Sequence, residues 1–279
     1  MTVRFDNPKR ALWPERVAYS NGMLLDDADF EAEQTYHRDR LALMTRYLHG
    51  TGTVCGLEVE VDTVDRPMIV IAPGLGIDRI GRMIQSPMPL CLRVDSWFED
   101  QTQDRPTELE QSFNSGSGGD PDHVLADVFL GFRECEVAKR PSFEHGDFDA
   151  LGAVAPLRLR DAVEATLVIR TEDTPPLPED PMPSLTGNFA NRLTALNEWK
   201  RTQGWTEDAL WAGIDGGVAE ANEHPDFREE LFADIFLARV QIPATAGTPP
   251  ELNASIAPIA DNSGRRMVYS TADLIALSR

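Results

Sequence analysis

Tyr19-Ser20-Asn21-Gly22-Met23-Leu24-Leu25, a charged and periodic run from Asp27 to His49, and the exit Gly50-Thr51-Gly52-Thr53-Val54-Cys55-Gly56-Leu57 form the stretch whose reading decides the fold. Asp26 can accept from the free amides of a first helical turn, and Leu25 and Phe30 fall at the two positions of a hydrophobic staple. Gly50 can take the left-handed conformation that ends a helix. A start and a stop signal therefore bracket one helix, Asp27 to His49. Phe30, Gln34, His37, Leu41, Met44 and Leu48 recur at alternating four- and three-residue spacing and form one stripe, while Tyr36, Leu43 and Tyr47 form a second. The C-terminal half is apolar around much of its circumference. One stripe is expected to meet a β core and the other a second surface, either the C-terminal domain or another subunit.

Outward from the helix the period changes to two. Leu57, Val59 and Val61 alternate with Glu58, Glu60 and Asp62, the pattern of a half-buried strand with a wet face. Asp65-Arg66-Pro67 marks a turn, Met68 to Ala72 a second strand, Pro73-Gly74 a break, Gly76 to Ile84 a hairpin region and Pro89 to Val94 one more short strand. Turns this closely spaced favour antiparallel meanders over parallel crossovers.

From Asp95 to Asp122 the chain is polar and ends in a Gly-Ser run, read as a flexible loop. His123 to Glu134 suits a central strand and Ala162 to Arg170 its neighbour, with Lys139 to Ala155 an excursion on the surface. Five prolines between Thr171 and Ser184 exclude helix and central strand. The expected organisation is an α+β chain. Residues 1–170 form an antiparallel β sheet or small barrel packed against the N-terminal helix, with a flexible loop about 95–122; a Pro-rich linker covers 171–187, and a smaller mixed α/β domain 188–279. In the last part Phe189, Leu193 and Leu196 follow helical spacing, Leu210 to Ala221 do so less cleanly, Phe227 to Phe232 begins another helix, and Ile235 to Ile242 suits a strand.

Charge and chemistry narrow the function. The 279 residues hold 26 basic and 46 acidic side chains, a net charge of -20, which repels phosphate backbones and anionic membranes at long range. No nucleic-acid or membrane partner is expected. No run approaches the roughly 20 apolar residues of a membrane span, and the N-terminus lacks a signal-like apolar core, so a cytoplasmic chain is expected. Cys55, Cys91 and Cys135 have no paired spacing and read as small core residues. The five histidines are scattered, and a hydrogen-bonded interface or core role for His37 is favoured over a metal ligand. Glu58, Glu60 and Asp62 could place three carboxylates on one strand face, as glycosidases and hard-metal sites need, but alternating acids on a solvated face are commoner. Asp147 and Asp149 lack the other ligands of a calcium loop. Gly74-Leu75-Gly76 lacks the third glycine of a dinucleotide turn. No enzymatic activity, cofactor or metal is expected.

Tyr19 to Phe30, with Gly22-Met23-Leu24-Leu25 and Asp29-Phe30, then Glu33-Gln34, Tyr36-His37-Arg38, Leu48-His49-Gly50 and Val54-Cys55-Gly56-Leu57-Glu58-Val59, resembles a family of bacterial proteins encoded with contractile, phage-tail-like injection systems. The resemblance continues through Pro73-Gly74-Leu75-Gly76-Ile77-Asp78 and Gly81-Arg82, and more weakly through Arg133-Glu134-Cys135 and Leu157-Arg158-Leu159-Arg160. It covers roughly the first 170 residues and departs at Thr51 and at Leu41-Ala42-Leu43. It implies a non-catalytic structural component at the baseplate or fibre attachment. The implied partners are baseplate, fibre or spike subunits, with further copies of the chain itself among them. Alternatives are a carbohydrate-active hydrolase using surface carboxylates and an accessory or cargo-handling protein of the same system. On the structural reading the interface comprises Tyr36 and Tyr47 as anchors with His37 and Leu43 on the helix, and Tyr19, Met23 and Leu24 in the entry segment.

Overall fold

A computed structural model describes residues 3–4, 15–64, 66–116, 121–141, 154–171, 186–202 and 233–277. The chain is α+β with antiparallel sheets behind an N-terminal helix, and it divides into two compact units. One comprises Met1–Pro8, His37–Asp173 and Ala233–Arg279; the other Lys9–Tyr36 and Thr174–Phe232.

The first unit begins with strand β1 (Val3–Arg4) and takes in the C-terminal part of helix α1 (Asp27–His49). Six short strands follow: β2 (Gly52–Gly56), β3 (Val59–Asp62), β4 (Met68–Ile71), β5 (Gly74–Ile77), β6 (Met83–Ser86) and β7 (Leu90–Arg93). They form two three-stranded sheets, ordered β2-β5-β6 and β3-β4-β7. These are two halves of one meander folded over a corner. The pairing of Val59 with Ile71 runs on to that of Gly56 with Gly74 through the bonds Ala72 N to Glu58 O (2.8 Å) and Leu57 N to Pro73 O (3.3 Å). The sharp bend is made by two successive left-handed residues, Gly56 (φ 63°) and Leu57 (φ 55°). A Cβ on Gly56 would lie 2.1 Å from the Pro73 carbonyl oxygen and one on Gly74 2.4 Å from that of Cys55, so the strands cross this closely only because both residues are glycine. Leu57 is buried completely, and that burial offsets a left-handed strain of roughly 1–2 kcal/mol.

The polar stretch after β7 is helical, which corrects the expected loop: α2 (Val94–Asp104) is followed by α3 (Pro106–Gln111) and the short strand β8 (Phe113–Asn114). Few apolar residues are needed, because Val94 and Phe98, one turn apart, and Leu109 are all buried, and Pro106 stands at the start of α3, where its missing N–H costs nothing. Trp97 Nε1 donates to the Leu167 carbonyl at 2.8 Å and ties α2 to the large sheet. Only Ser115 and Gly116 of the Gly-Ser run, with the adjoining Asp122, lie among the described residues; 117–120 do not.

Among the described residues that sheet has seven strands. The expected central strand is β9 (His123–Pro141), and the expected neighbour β10 (Val154–Ile169) pairs along it from Ala126–Ile169 to Pro141–Val154. Part of the expected surface excursion, 139–141 and 154–155, is therefore strand; 142–153 lie outside the described residues. Strand β11 (Ile235–Thr245) lies on the other edge of β9, from Ile235–Leu130 to Pro243–His123, and carries β12 (Glu251–Leu252) and β13 (Ile259–Asp261). Val124, Ala126, Val128, Leu130 and Phe132, every second residue of β9, share one core with Leu57, Ile69, Ile71 and Ile84 of the meander.

A separate domain over 188–279 is thus not what forms. Ile235–Thr245 was legible as a strand, yet it is apolar because it lies inside the first sheet, and its companions seal the meander. Asn262 donates from Nδ2 to Val59 O (2.9 Å) and accepts Val59 N–H at Oδ1 (3.0 Å), so one side-chain amide replaces a strand partner for β3. Thr53 N donates to Arg266 O and Val268 N to Thr53 O, both at 2.8 Å. The unit ends in helix α5 (Thr271–Leu277), capped by Ser270 and Asp273.

The second unit contains the N-terminal part of α1 and helix α4 (Phe189–Thr202), which agrees with the periodicity of Phe189, Leu193 and Leu196. Asn188 caps α4 by accepting from Asn191 N at 3.0 Å. The proline-rich 172–185 and the helical readings at 210–221 and 227–232 lie outside the described residues.

Candidate functional site

Helix α1 holds most of the residues singled out from sequence, and its ends are built as expected. Asp26 Oδ1 accepts from Asp29 N and Asp29 Oδ2 from Asp26 N, both at 3.1 Å, a reciprocal capping box. Gly50 ends the helix with φ 81°, its N–H donating to Arg46 O at 2.8 Å.

The helix is seated on the turn between β5 and β6. Asp78, wholly buried, accepts at Oδ1 from the amides of Ile80, Gly81 and Arg82 (3.0, 2.8 and 2.7 Å) and at Oδ2 from Arg82 Nε (2.6 Å). The Arg82 guanidinium then lies 4.9 Å over the Phe132 ring of β9. Gly81, with φ 100°, meets the helix backbone so closely that a Cβ would be 2.0 Å from Ala42 O. Ala42 and Leu43 are accordingly buried, with Asp39 and Arg46 half-buried around them.

The stripe 180° away on a helix of 100° per residue is the one read first from the sequence, and it faces solvent. Leu41 is 60 % and Leu48 71 % exposed, and Phe30, Gln34, His37 and Met44 are exposed as well. Of the expected interface residues on α1, His37 and Tyr47 are exposed and Tyr36 is half-buried. Leu43 is a core residue, a correction to its expected interface role, because the contact of Ala42 with Gly81 turns that face inward. The residues underweighted in sequence are Leu41, Met44 and Leu48, whose regular spacing was visible but gave no sign of which stripe the sheet would cover.

The entry segment is a turn, closed by Met23 N donating to Ser20 O at 3.2 Å, with Gly22 at φ 84°. Tyr19 and Met23 are exposed and Leu24 is 95 % exposed. The Tyr19 hydroxyl donates to the Glu33 carboxylate, and this bond raises the phenol's pKa.

Buried ionic groups at the large sheet, centred on Asp127 and Arg133, were not singled out from the sequence. Asp127, fully buried on β9, takes Arg239 Nε at 2.8 Å and Arg170 Nε at 3.0 Å. Arg133 holds Asp234 through two bonds, of 3.1 and 3.0 Å, and Glu164 through Nε at 2.8 Å. Burial pushes Asp234 up to about 6 against the opposing effect of Arg133, with the Asp78 charge adding to the rise. Asp127 between two guanidiniums and Arg133 between two carboxylates are each suited to fixing strand register. The only sequence signal was a charge inside an apolar run, as in Ala126-Asp127-Val128 and Ala233-Asp234-Ile235.

The remaining chemical candidates are dispersed. Glu58 and Glu60 are exposed and Asp62 is half-buried on β3; His123 Nδ1 lies 3.0 Å from Pro121 O. Cys135 is buried as expected, whereas Cys55 and Cys91 are exposed, a correction that follows from their outward positions on β2 and β7. Among the described residues no group of three His, Cys, Asp or Glu side chains could hold a metal ion. Asp147, Asp149, His145 and His224 lie outside them. Among the described residues, too, no helix is long and apolar enough to cross a membrane. No protein-family model and no curated protein matches the chain.

Proposed function

We propose that the chain is a non-catalytic structural component of a contractile, phage-tail-like injection apparatus. It would be assembled in the cytoplasm at the baseplate or fibre attachment and act through contacts with baseplate, fibre or spike subunits. The observation that carries this reading is a division of labour among the residues that resemble the family. Gly56, Gly74, Asp78, Gly81 and Arg82 are spent on the corner and on the turn that seats α1. The outward stripe of α1 is left apolar and in water. An exposed apolar stripe on a helix held firmly from behind is what a subunit contact requires. The -20 charge suits encounter with less acidic partners and keeps the free chain soluble.

Electron microscopy of contractile particles purified from cells carrying a tagged chain tests the proposal. Label at the baseplate end supports it; particles without label, from cells in which the tagged chain is abundant, refute it.

A further inference from the structure

We propose that the outer edge of strand β10 over Leu157–Asp161 accepts, as an added strand, an extended segment of a partner protein in which carboxylates alternate with apolar residues. At Glu134 and Cys135 of β9 the sheet runs β1, β9, β10, so β10 forms its border there. Among the described residues β10 has no strand partner but β9, and no further backbone bond is made from Leu157 to Asp161. From Arg158–Val137 the ladder continues without a shift of register to Ile169–Ala126, so no bulge turns this edge away from a newcomer.

The side chains fix what the added strand must carry. Successive residues of a strand point to opposite faces. Leu157 and Leu159, 45 % and 47 % exposed, lie on one face, and Arg158 and Arg160, both exposed, lie on the other. Arg38, Arg66, Arg82, Arg93, Arg133 and Arg239 each hold a carboxylate. Arg158 and Arg160 hold none among the described residues, in a chain of net charge -20. The register accounts for this. Val137 and Cys135 stand directly opposite the two arginines on β9, whereas Glu136 and Glu134 stand opposite Leu159 and Asp161, on the other face. A strand added to the edge meets the same alternation, so every second residue pairs its carboxylate with an arginine and those between cover the leucines.

A second copy of the chain does not satisfy this edge. A two-fold axis normal to the sheet sets arginine against arginine when centred on Arg158, Leu159 or Arg160, and Asp161 against Asp161 one residue further on. The pairing is read from β10 alone and stands or falls apart from the role of α1 in any particle.

Fluorescence anisotropy of the full chain with a labelled eight-residue peptide of alternating valine and glutamate tests the proposal. Binding should weaken as salt rises, and Arg158→Glu with Arg160→Glu should raise the dissociation constant roughly tenfold or more. Both side chains are exposed, so this variant should keep the wild-type unfolding midpoint, and it should now prefer a peptide of alternating valine and lysine. Two acidic peptides, N-methylated on the valines or on the glutamates, separate strand addition from charge attraction. Alternate amides of a strand face opposite edges, so the wild-type chain should bind one and not the other. No binding of the unmethylated acidic peptide at millimolar concentration overturns the proposal and leaves the arginines as guards of an unused edge. Equal binding of the two methylated peptides, or a charge-reversed chain that still prefers the acidic peptide, also overturns it. Self-association of the wild type that the acidic peptide reverses would assign the edge to a second copy and overturn it as well.

Discussion

Replacing Gly81 with alanine should unseat helix α1, and the cost can be worked from the structure. Two penalties add. The residue has φ 100°, which an L side chain adopts at roughly 1–2 kcal/mol. The new Cβ would also lie 2.0 Å from Ala42 O, 2.7 Å from its carbonyl carbon and 3.0 Å from Arg46 Cβ, so the helix must retreat, with an overpacking cost of about 1–3 kcal/mol. Gly50→Ala separates the two effects. Gly50 has φ 81°, but a Cβ there would meet only the far end of Arg266 at 3.7 Å, so it carries the backbone penalty alone. Urea unfolding of the full chain should therefore place Gly81→Ala about 1–3 kcal/mol below Gly50→Ala, with faster amide exchange over 37–49 in the former. Equal destabilisation by the two variants would refute the close seating of α1 on the β5–β6 turn.

Asp234, raised to about 6, binds a proton in the folded state at pH values where the unfolded chain does not. Its titration therefore strengthens the fold as pH falls from about 7 to 4, by roughly 3 kcal/mol at 1.36 kcal/mol per unit. The stability of the wild type relative to Asp234→Asn should rise over that window, and a difference independent of pH would contradict the burial of this carboxyl beside Arg133, Asp78 and Arg82. Asn262→Ala removes both bonds to Val59 and should cost about 1–3 kcal/mol in thermal or urea unfolding, whereas Asn253→Ala, at an exposed turn, should cost less than 1 kcal/mol. A disulfide exchange reagent should label Cys55 and Cys91 rapidly in the native chain and Cys135 only on unfolding.

Elements defined by neighbours in sequence were legible. The ends of α1 are written by Asp26, Asp29 and Gly50 within a few residues of where they act, and the strands from β3 to β7 alternate in register with their own turns. What was not legible depends on distant partners. Val94 and Phe98 look sparse in a polar segment until the sheet that buries them is present, which is why α2 read as loop. Ile235 to Ile242 had a strand pattern, but nothing local says that its partner is β9, more than a hundred residues earlier. The candidate surface divides in the same way. Spacing defined two stripes on α1, while the choice of which stripe is covered belongs to Gly81, outside the helix altogether.

The measurement closest to the central claim is the amount of this chain in purified contractile particles when the outward face of α1 is changed by Met44→Asp with Leu48→Asp. Both side chains are exposed, so the free chain should keep its wild-type unfolding midpoint. The expected result is that quantitative mass spectrometry finds the wild-type chain in fixed ratio to the other particle subunits and the variant depleted at least tenfold. A variant that enters particles as well as the wild type, or a wild-type chain absent from them, would contradict the account.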